Sequence, residues 1–169
     1  MREAKASPIE LRKELFKKMK KVVRINAKVK KLEPIEVKYR KFRNGRPAVR
    51  MEFMPGWGGN ISGEEAVYFF RFYGKDEFLF NKIGTSAKDV VGRLREEIAD
   101  YSKNFDVRRV EILRIRSCNG IPAEGAESAL RAAFIKKYPT VFRKNDRFFG
   151  AEISPLAWDE IVNNFFSEN

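Results

Sequence analysis

The sequence predicts an α+β protein with a central antiparallel β-sheet of four to five or more strands, helices packed on one face, and a basic N-terminal helix. Three observations lead to this prediction. Two alternating segments flank Asn44 and Gly45, a pair that strongly favours a β-hairpin. A dense aromatic run between Ala66 and Ile83 is typical of a second hairpin. Elsewhere, apolar residues recur at the spacing of amphipathic helices.

Composition restricts the classes of function. At 169 residues the chain is long enough for one domain with a substantial core. It contains no histidine and one cysteine, Cys118, which excludes histidine-based catalysis, an internal disulfide and the usual zinc cages. Any enzyme would have to use carboxylates, Lys, Tyr or a magnesium ion, and we expect no enzyme and no cofactor. Lacking an apolar run of roughly 20 residues and an apolar signal core, the chain is predicted to be cytoplasmic or nucleoid-associated.

The positive charge is concentrated at one end of the chain. Residues 1–50 contain 18 Lys or Arg and five Glu, a net charge of +13, whereas the rest contains 17 basic and 18 acidic residues. A local excess of this size predicts a polyanionic partner, because the cations would otherwise repel one another. The alternative is a solubilising surface.

The first predicted element is a basic amphipathic helix over residues 8–25. Its apolar stripe lies at helical spacing and comprises Leu11, Leu15, Met19 and Val22. A basic helix also suits an anionic membrane, but this stripe is modest, so no membrane partner is expected. Residues 1–31 are assigned to this helix and a linker, and residues 32–169 to a single α+β domain.

Residues 35–42 and 47–54 predict the first hairpin. We expect Ile35, Val37 and Tyr39 to face the core together with Val49, Met51 and Phe53. The opposite face and the turn are then basic, with Lys38, Arg40, Lys41, Arg43, Arg46 and Arg50. Such residues suit phosphate contacts, which are sequence-independent and sensitive to salt. The glycine-rich loop 55–63 follows, and its Trp57 is expected either to fold back onto the domain or to stack on a base.

The aromatic hairpin comprises strands over residues 67–73 and 77–83. It is apolar on both faces, whereas a half-buried hairpin alternates apolar and polar residues. One face is assigned to the core beneath the helices. The other face, with Arg71, Tyr73 and Lys82, is predicted to be open and to stack bases.

The remaining segments alternate helices with strands. A helix is expected from Thr85 or Ser86 to about Ser102, because its apolar residues recur at helical spacing. A strand over 107–117 and a helix over 122–138 follow, and residues 141–153 predict a further strand pair. Pro155 opens the last helix, in the first-turn position that proline favours.

A four-stranded antiparallel sheet followed by a packing helix, with a basic and aromatic face, resembles the Whirly and PUR folds that bind single-stranded nucleic acids. It is also similar to the archaeal single-stranded-DNA-binding ThermoDBP family. The resemblance covers roughly residues 35–102 and rests on architecture and composition. It implies roles in nucleic-acid binding for Lys38, Arg40, Arg50, Arg71 and Tyr73.

These patterns predict sequence-tolerant binding of single-stranded DNA or RNA. One alternative is a structural or regulatory protein whose aromatic face forms a homo-oligomer or a partner interface. A less favoured alternative is a divalent-metal nuclease, because Glu36-Val37-Lys38 matches half of a restriction-type site. That site needs an upstream aspartate, and the first aspartate of the chain is Asp76.

Overall fold

The computed structural model describes residues 10, 13, 14, 32–139, 142–144 and 147–168, and it confirms the α+β class. The chain divides into two compact units, Met1–Leu32 and Glu33–Asn169. Glu10, Lys13 and Glu14 of the first unit are helical, and the rest of the predicted basic helix lies outside the described residues.

The described part of the second unit forms one sheet with three helices. The elements are β1 (Glu36–Arg40), β2 (Val49–Phe53), β3 (Ala66–Tyr73), β4 (Phe78–Ser86), α1 (Val90–Tyr101), β5 (Arg109–Ser117), α2 (Ala123–Lys137), β6 (Phe142–Lys144), β7 (Arg147–Phe149) and α3 (Pro155–Glu168). The strand order is β1-β2-β5-β3-β4-β7-β6. None of the helices in the described ranges is both long enough and apolar enough to cross a membrane.

The sheet is mixed, which corrects the prediction of a purely antiparallel sheet. Strands β2 and β5 run parallel, with Arg50 opposite Arg109 and Phe53 opposite Ile112, while the other neighbouring pairs are antiparallel. Parallel neighbours need a long crossover, and here β3, β4 and α1 lie between β2 and β5 in sequence. After this crossover, β5 lies between β2 and β3 in the sheet.

Helices cover both faces of the sheet, so the expectation of helices on one face is wrong. On one face, which we call the α1 face, Leu94 and Ile98 pack with Phe70 and Phe72 of β3. On the opposite face, the α2/α3 face, helices α2 and α3 pack over the other side chains of the same strand. That second cluster includes Val67, Phe69, Leu130, Phe134, Trp158 and Val162. The aromatic hairpin is apolar on both sides because it lies in the middle layer of the core, with helices packed on each face of the sheet.

The outward and inward faces of β1 are the reverse of those predicted. Arg40 lies opposite Val49 and Lys38 opposite Met51, and directly paired residues share a face of the sheet. Both cations therefore lie on the α1 face, while Tyr39 projects from the α2/α3 face and is 50% exposed. The reversal is tolerated because β1 is at the end of the strand order and long basic side chains can cover apolar surface: Lys38 Nζ lies 5.5 Å from the centre of the Phe53 ring.

The glycine-rich loop is anchored to the start of α1. The side-chain oxygen of Asn60 accepts a hydrogen bond from the Val91 N–H at 3.1 Å, and its amide donates to Asp89 Oδ1 at 2.6 Å. The helix begins at Val90, later than predicted, because β4 continues to pair with β3 as far as Ser86. An asparagine from a distant loop thus supplies a hydrogen-bond acceptor that the helix N-terminus requires.

Candidate nucleic-acid interface

The connection between β1 and β2 carries a group of cations. Residues 38–50 contain six Lys or Arg and no acidic residue. We call four of them the basic tip: Arg40, Lys41, Arg43 and Arg46. Gly45 adopts φ +76°, a left-handed conformation that favours glycine, and the Arg46 N–H donates to Asn44 Oδ1 at 3.3 Å. The predicted asparagine–glycine turn therefore presents the cations at an exposed bend.

The basic tip has no acidic partner within the described ranges. Arg40, Lys41, Arg43 and Arg46 form no ion pair there, in contrast to Lys38, whose Nζ lies 3.3 Å from Glu36 Oε1. Two arginines are instead oriented by carbonyl oxygens: Arg40 Nε lies 3.5 Å from the Arg95 oxygen, and Arg46 Nη1 lies 3.1 Å from the Ser102 oxygen. Their positive charge is therefore positioned without being neutralised.

A cavity of about 350 Å³ lies beside the basic tip, and we call it the loop pocket. The connection between β1 and β2 contributes Phe42, Arg46 and Pro47 to its wall. The segment from the end of α1 to the start of β5 contributes Ser102, Lys103, Asn104, Phe105, Asp106, Val107 and Arg108. The pocket thus combines two half-buried rings with three cations and one carboxylate.

Polar residues at and after the end of α1 line the loop pocket. Ser102 Oγ is buried and has no hydrogen-bond partner among the described residues. The Asp106 carboxylate accepts from Arg108 Nε at 2.8 Å, and Lys103 Nζ lies 3.4 Å from Asp100 Oδ1. Both pairs are largely exposed to solvent, where ion pairs contribute little and exchange partners readily.

Arg50 lies on the opposite face from Lys38 and Arg40, contrary to the prediction that these three share a surface. Its Nη1 donates to the Tyr39 hydroxyl at 3.2 Å, and its Nε lies 3.8 Å from Glu52. It stands at the solvent side of an ion-pair network that occupies the α2/α3 face of the sheet. The network comprises Arg50, Glu52, Arg71, Tyr73, Arg109, Glu111 and Glu152.

Arg71 and Tyr73 belong to this network and do not form an open stacking surface. Arg71 is 7% exposed, and its guanidinium donates to Glu111 and to the Ile153 carbonyl. The Tyr73 hydroxyl donates to Glu152 Oε1 at 2.8 Å, and burial raises the pKa of this phenol. The expectation that the second face of the aromatic hairpin is open is therefore wrong, because Arg71 and Tyr73 both bind the buried carboxylate of Glu111.

Lys82 is also buried, on the α1 face. Its Nζ lies 3.4 Å from Glu97 Oε1, and the same carboxylate oxygen accepts from the Tyr68 hydroxyl at 2.6 Å. Burial lowers the pKa of Lys82 to about 8, and the negative charge of Glu97 opposes this effect. At 3% exposure, the ammonium group is not accessible to a polyanion.

Trp57 folds back onto the domain, which was one of the two expectations for it. Its ring meets the Phe53 ring edge to face at a centroid distance of 4.8 Å. Its carbonyl accepts from the Ile115 N–H at 2.7 Å, and the adjacent Gly58 leaves no room for a side chain because a Cβ there would lie 2.5 Å from the Ile115 oxygen. The backbone of Trp57 and Gly58 therefore holds the loop against β5, and the indole packs against β2.

The loop-pocket residues after α1 were not among the predicted site residues. The segment Lys103-Asn104-Phe105-Asp106 does contain a signal, because it combines a cation, an amide and an aromatic ring in a short connection. Arg46 contacts the carbonyl oxygen of Ser102, just before this segment, across 56 positions, so the sequence does not reveal that the two chain segments meet.

The other chemistry considered from the sequence gains no support. In the described ranges, no three His, Cys, Asp or Glu side chains lie close enough to hold a metal ion. Cys118 is buried, and burial raises the pKa of its thiol to about 11, which disfavours the reactive thiolate. The oligomer alternative loses its predicted surface as well, because the aromatic face is covered within the chain.

Comparison with known proteins finds no matching family model, no matching curated protein and no matching solved structure. The resemblance to the Whirly, PUR and ThermoDBP proteins therefore stays a prediction.

Proposed function

We propose that the protein binds single-stranded DNA or RNA with little sequence preference, through the basic tip and the adjoining loop pocket. The observation that carries this proposal is the contrast between two groups of cations. Arg71 and Arg109 are paired with carboxylates, whereas the cations of the basic tip have no such partner in the described ranges. Lys41, Arg43 and Arg46 are exposed and Arg40 is half-buried. Cations that are close together and not neutralised are suited to the phosphates of a nucleic acid.

The preference for single strands follows from the rings of the loop pocket. Phe42 and Phe105 present aromatic surface beside Arg46, Lys103 and Arg108. A base can stack on a protein ring only when it is not held in a duplex, and such stacking tolerates any base. The proposal therefore places stacking at the loop pocket instead of at the buried aromatic hairpin.

Titration of a labelled oligonucleotide tests this function. Single-stranded DNA, single-stranded RNA and duplex DNA of equal length are compared over a series of salt concentrations. In the double variant Arg43→Gln/Arg46→Gln, we expect weaker binding of all single-stranded sequences. The slope of log affinity against log salt should fall in magnitude by about 1.4, because each phosphate contact on a single strand contributes about 0.7.

The matched control is the double variant Lys88→Gln/Lys136→Gln, which removes two exposed cations away from the basic tip. Its affinity and salt slope should equal those of the unmodified protein. Affinity that is independent of salt, preference for the duplex, or an equal loss in the control would each reject the proposal. Sedimentation with and without oligonucleotide supplies the stoichiometry and detects any homo-oligomer.

A further inference from the structure

We infer that the loop pocket holds one nucleobase, turned out of the bound strand, while the phosphates follow the basic tip; this inference rests on the proposed function. The first argument is size. A volume of about 350 Å³ is at the lower end of the range for ligand pockets, roughly 300–1,000 Å³. That volume suits a single nucleotide.

The second argument is the chemistry of the walls. Phe42 and Phe105 supply flat apolar surface from two different chain segments, as a base requires on its faces. Asn104 is an exposed residue of the lining, and its side-chain amide can donate to and accept from the edge of a base.

The third argument is the distribution of charge around the pocket. Arg46 projects from the basic tip, and Lys103 and Arg108 stand on the opposite segment. Asp106 is the one carboxylate in the lining, and Arg108 already pairs with it at 2.8 Å. A nucleotide therefore meets cations on both segments for its phosphate, with apolar and uncharged groups between them. The pocket thus suits an anionic ligand with an aromatic ring, which describes a nucleotide.

Two labelled probes of equal length separate base binding from phosphate binding. One is a twelve-nucleotide thymidine oligomer, and the other is the same sugar–phosphate chain without bases. We expect the base-free chain to bind roughly 5- to 150-fold more weakly, the range for loss of one stacked base. Phe42→Ala should weaken binding of the thymidine oligomer by a similar factor and leave the base-free chain unaffected. Phe42→Tyr keeps an aromatic ring, so this variant should again bind the thymidine oligomer more tightly than the base-free chain.

Two further variants control for structure. Phe166→Ala removes a half-buried ring from α3 and should leave unchanged the ratio of the affinities for the thymidine oligomer and the base-free chain. Asn104→Ala changes an exposed pocket residue without removing core packing, so it reports on the pocket even if Phe42→Ala impairs folding. We expect Asn104→Ala to reduce the ratio of the affinities for the thymidine oligomer and the base-free chain.

The outcomes distinguish the inference from the function on which it rests. If both probes bind equally well and with a steep salt dependence, the base pocket is rejected and phosphate binding stands. An equal loss for both probes in Phe42→Ala would likewise reject the pocket. If neither probe binds in a salt-dependent manner, the proposed function fails and the inference fails with it.

Discussion

Glu52 and Glu111 lie directly opposite each other on the parallel strands β2 and β5, and Arg109 binds both carboxylates. Its Nη1 is 3.1 Å from Glu52 Oε1 and 2.8 Å from Glu111 Oε1. Both glutamates are about 95% buried, with exposures of 4% and 5%. Their mutual repulsion would oppose this strand pairing, so the shared guanidinium is what allows like charges to occupy facing positions.

Arg109→Met should therefore destabilise the fold strongly. The substitution keeps an apolar stem but removes the cation shared by two buried carboxylates. Because Arg50 stays 3.8 Å from Glu52 and Arg71 stays 3.2 Å from Glu111, the cost should reach at most the roughly 3–5 kcal/mol of a buried charge left without a partner. Urea denaturation monitored by circular dichroism measures the change. The control is Lys137→Met, which breaks an ion pair on exposed helical surface and should leave the midpoint unchanged. Equal effects of the two substitutions would contradict the role given to Arg109.

The sequence predicts Arg40 and Arg50 on the same surface, but the reversed orientation of β1 puts them on opposite faces of the sheet. Arg40→Gln should weaken binding of a single-stranded oligonucleotide several-fold at low salt, because it removes an unpaired cation of the basic tip. Arg50→Gln should have no such effect, because Arg50 lies on the other face beside Tyr39 and Glu52. Fluorescence anisotropy compares the two. A larger loss in Arg50→Gln would place the interface on the α2/α3 face.

Gly84 is required by the packing of Tyr68. A Cβ at Gly84 would lie 2.5 Å from the Tyr68 hydroxyl oxygen, which is itself fixed by its hydrogen bond to Glu97. Gly84→Ala should therefore cost about 1–3 kcal/mol of stability through overpacking. Gly125→Ala is the matched control: nothing lies within 4 Å of that Cβ in helix α2, and alanine should stabilise the helix by about 0.5–1 kcal/mol. Denaturation curves with the same sign for both would refute this assignment.

Lys82 should make the stability of the fold vary with pH in the alkaline range. Its pKa is about 8 in the fold, where burial disfavours the charge, and 10.5 in the unfolded chain. Between these values the unfolded state binds more protons, so the free energy of unfolding should rise with pH, by at most about 1.4 kcal/mol per pH unit.

Lys82→Met lacks this titration and serves as the reference for that measurement. The difference in unfolding free energy between the unmodified protein and Lys82→Met should move in favour of the unmodified protein from pH 8 to pH 10. Urea denaturation at several pH values provides the data. Parallel curves over this range would show that Lys82 titrates normally.

The positions of the elements could be predicted because their signals are local. The first strand of the aromatic hairpin was expected over 67–73 and is Ala66–Tyr73, and the helix expected over 122–138 is Ala123–Lys137. Strand alternation, helical spacing and turn residues each depend on a few neighbouring positions, so these signals can be recognised in a single sequence. The exception is the start of α1, where continued strand pairing overrides a plausible helix cap.

The site could not be predicted to the same extent because burial is decided by distant residues. Arg71 beside aromatic rings suggested an open surface, but its partner Glu111 is 40 positions away. Likewise, whether Lys38 or Tyr39 faces the α1 side depends on how β1 registers with β2. Local charge located the exposed cations Lys41, Arg43 and Arg46, whereas the loop pocket depends on a contact between segments 56 positions apart.

The parallel pairing of β2 with β5 has a consequence for the order of assembly. The β1–β2 hairpin can close by itself soon after synthesis, because its contacts are local. In the described ranges, its only strand neighbour in the rest of the sheet is β5, which is made after β3, β4 and α1. Contacts of such large sequence separation form slowly, since loop-closure entropy must be overcome first. During translation, the cationic hairpin therefore emerges well before the segment that completes its pocket.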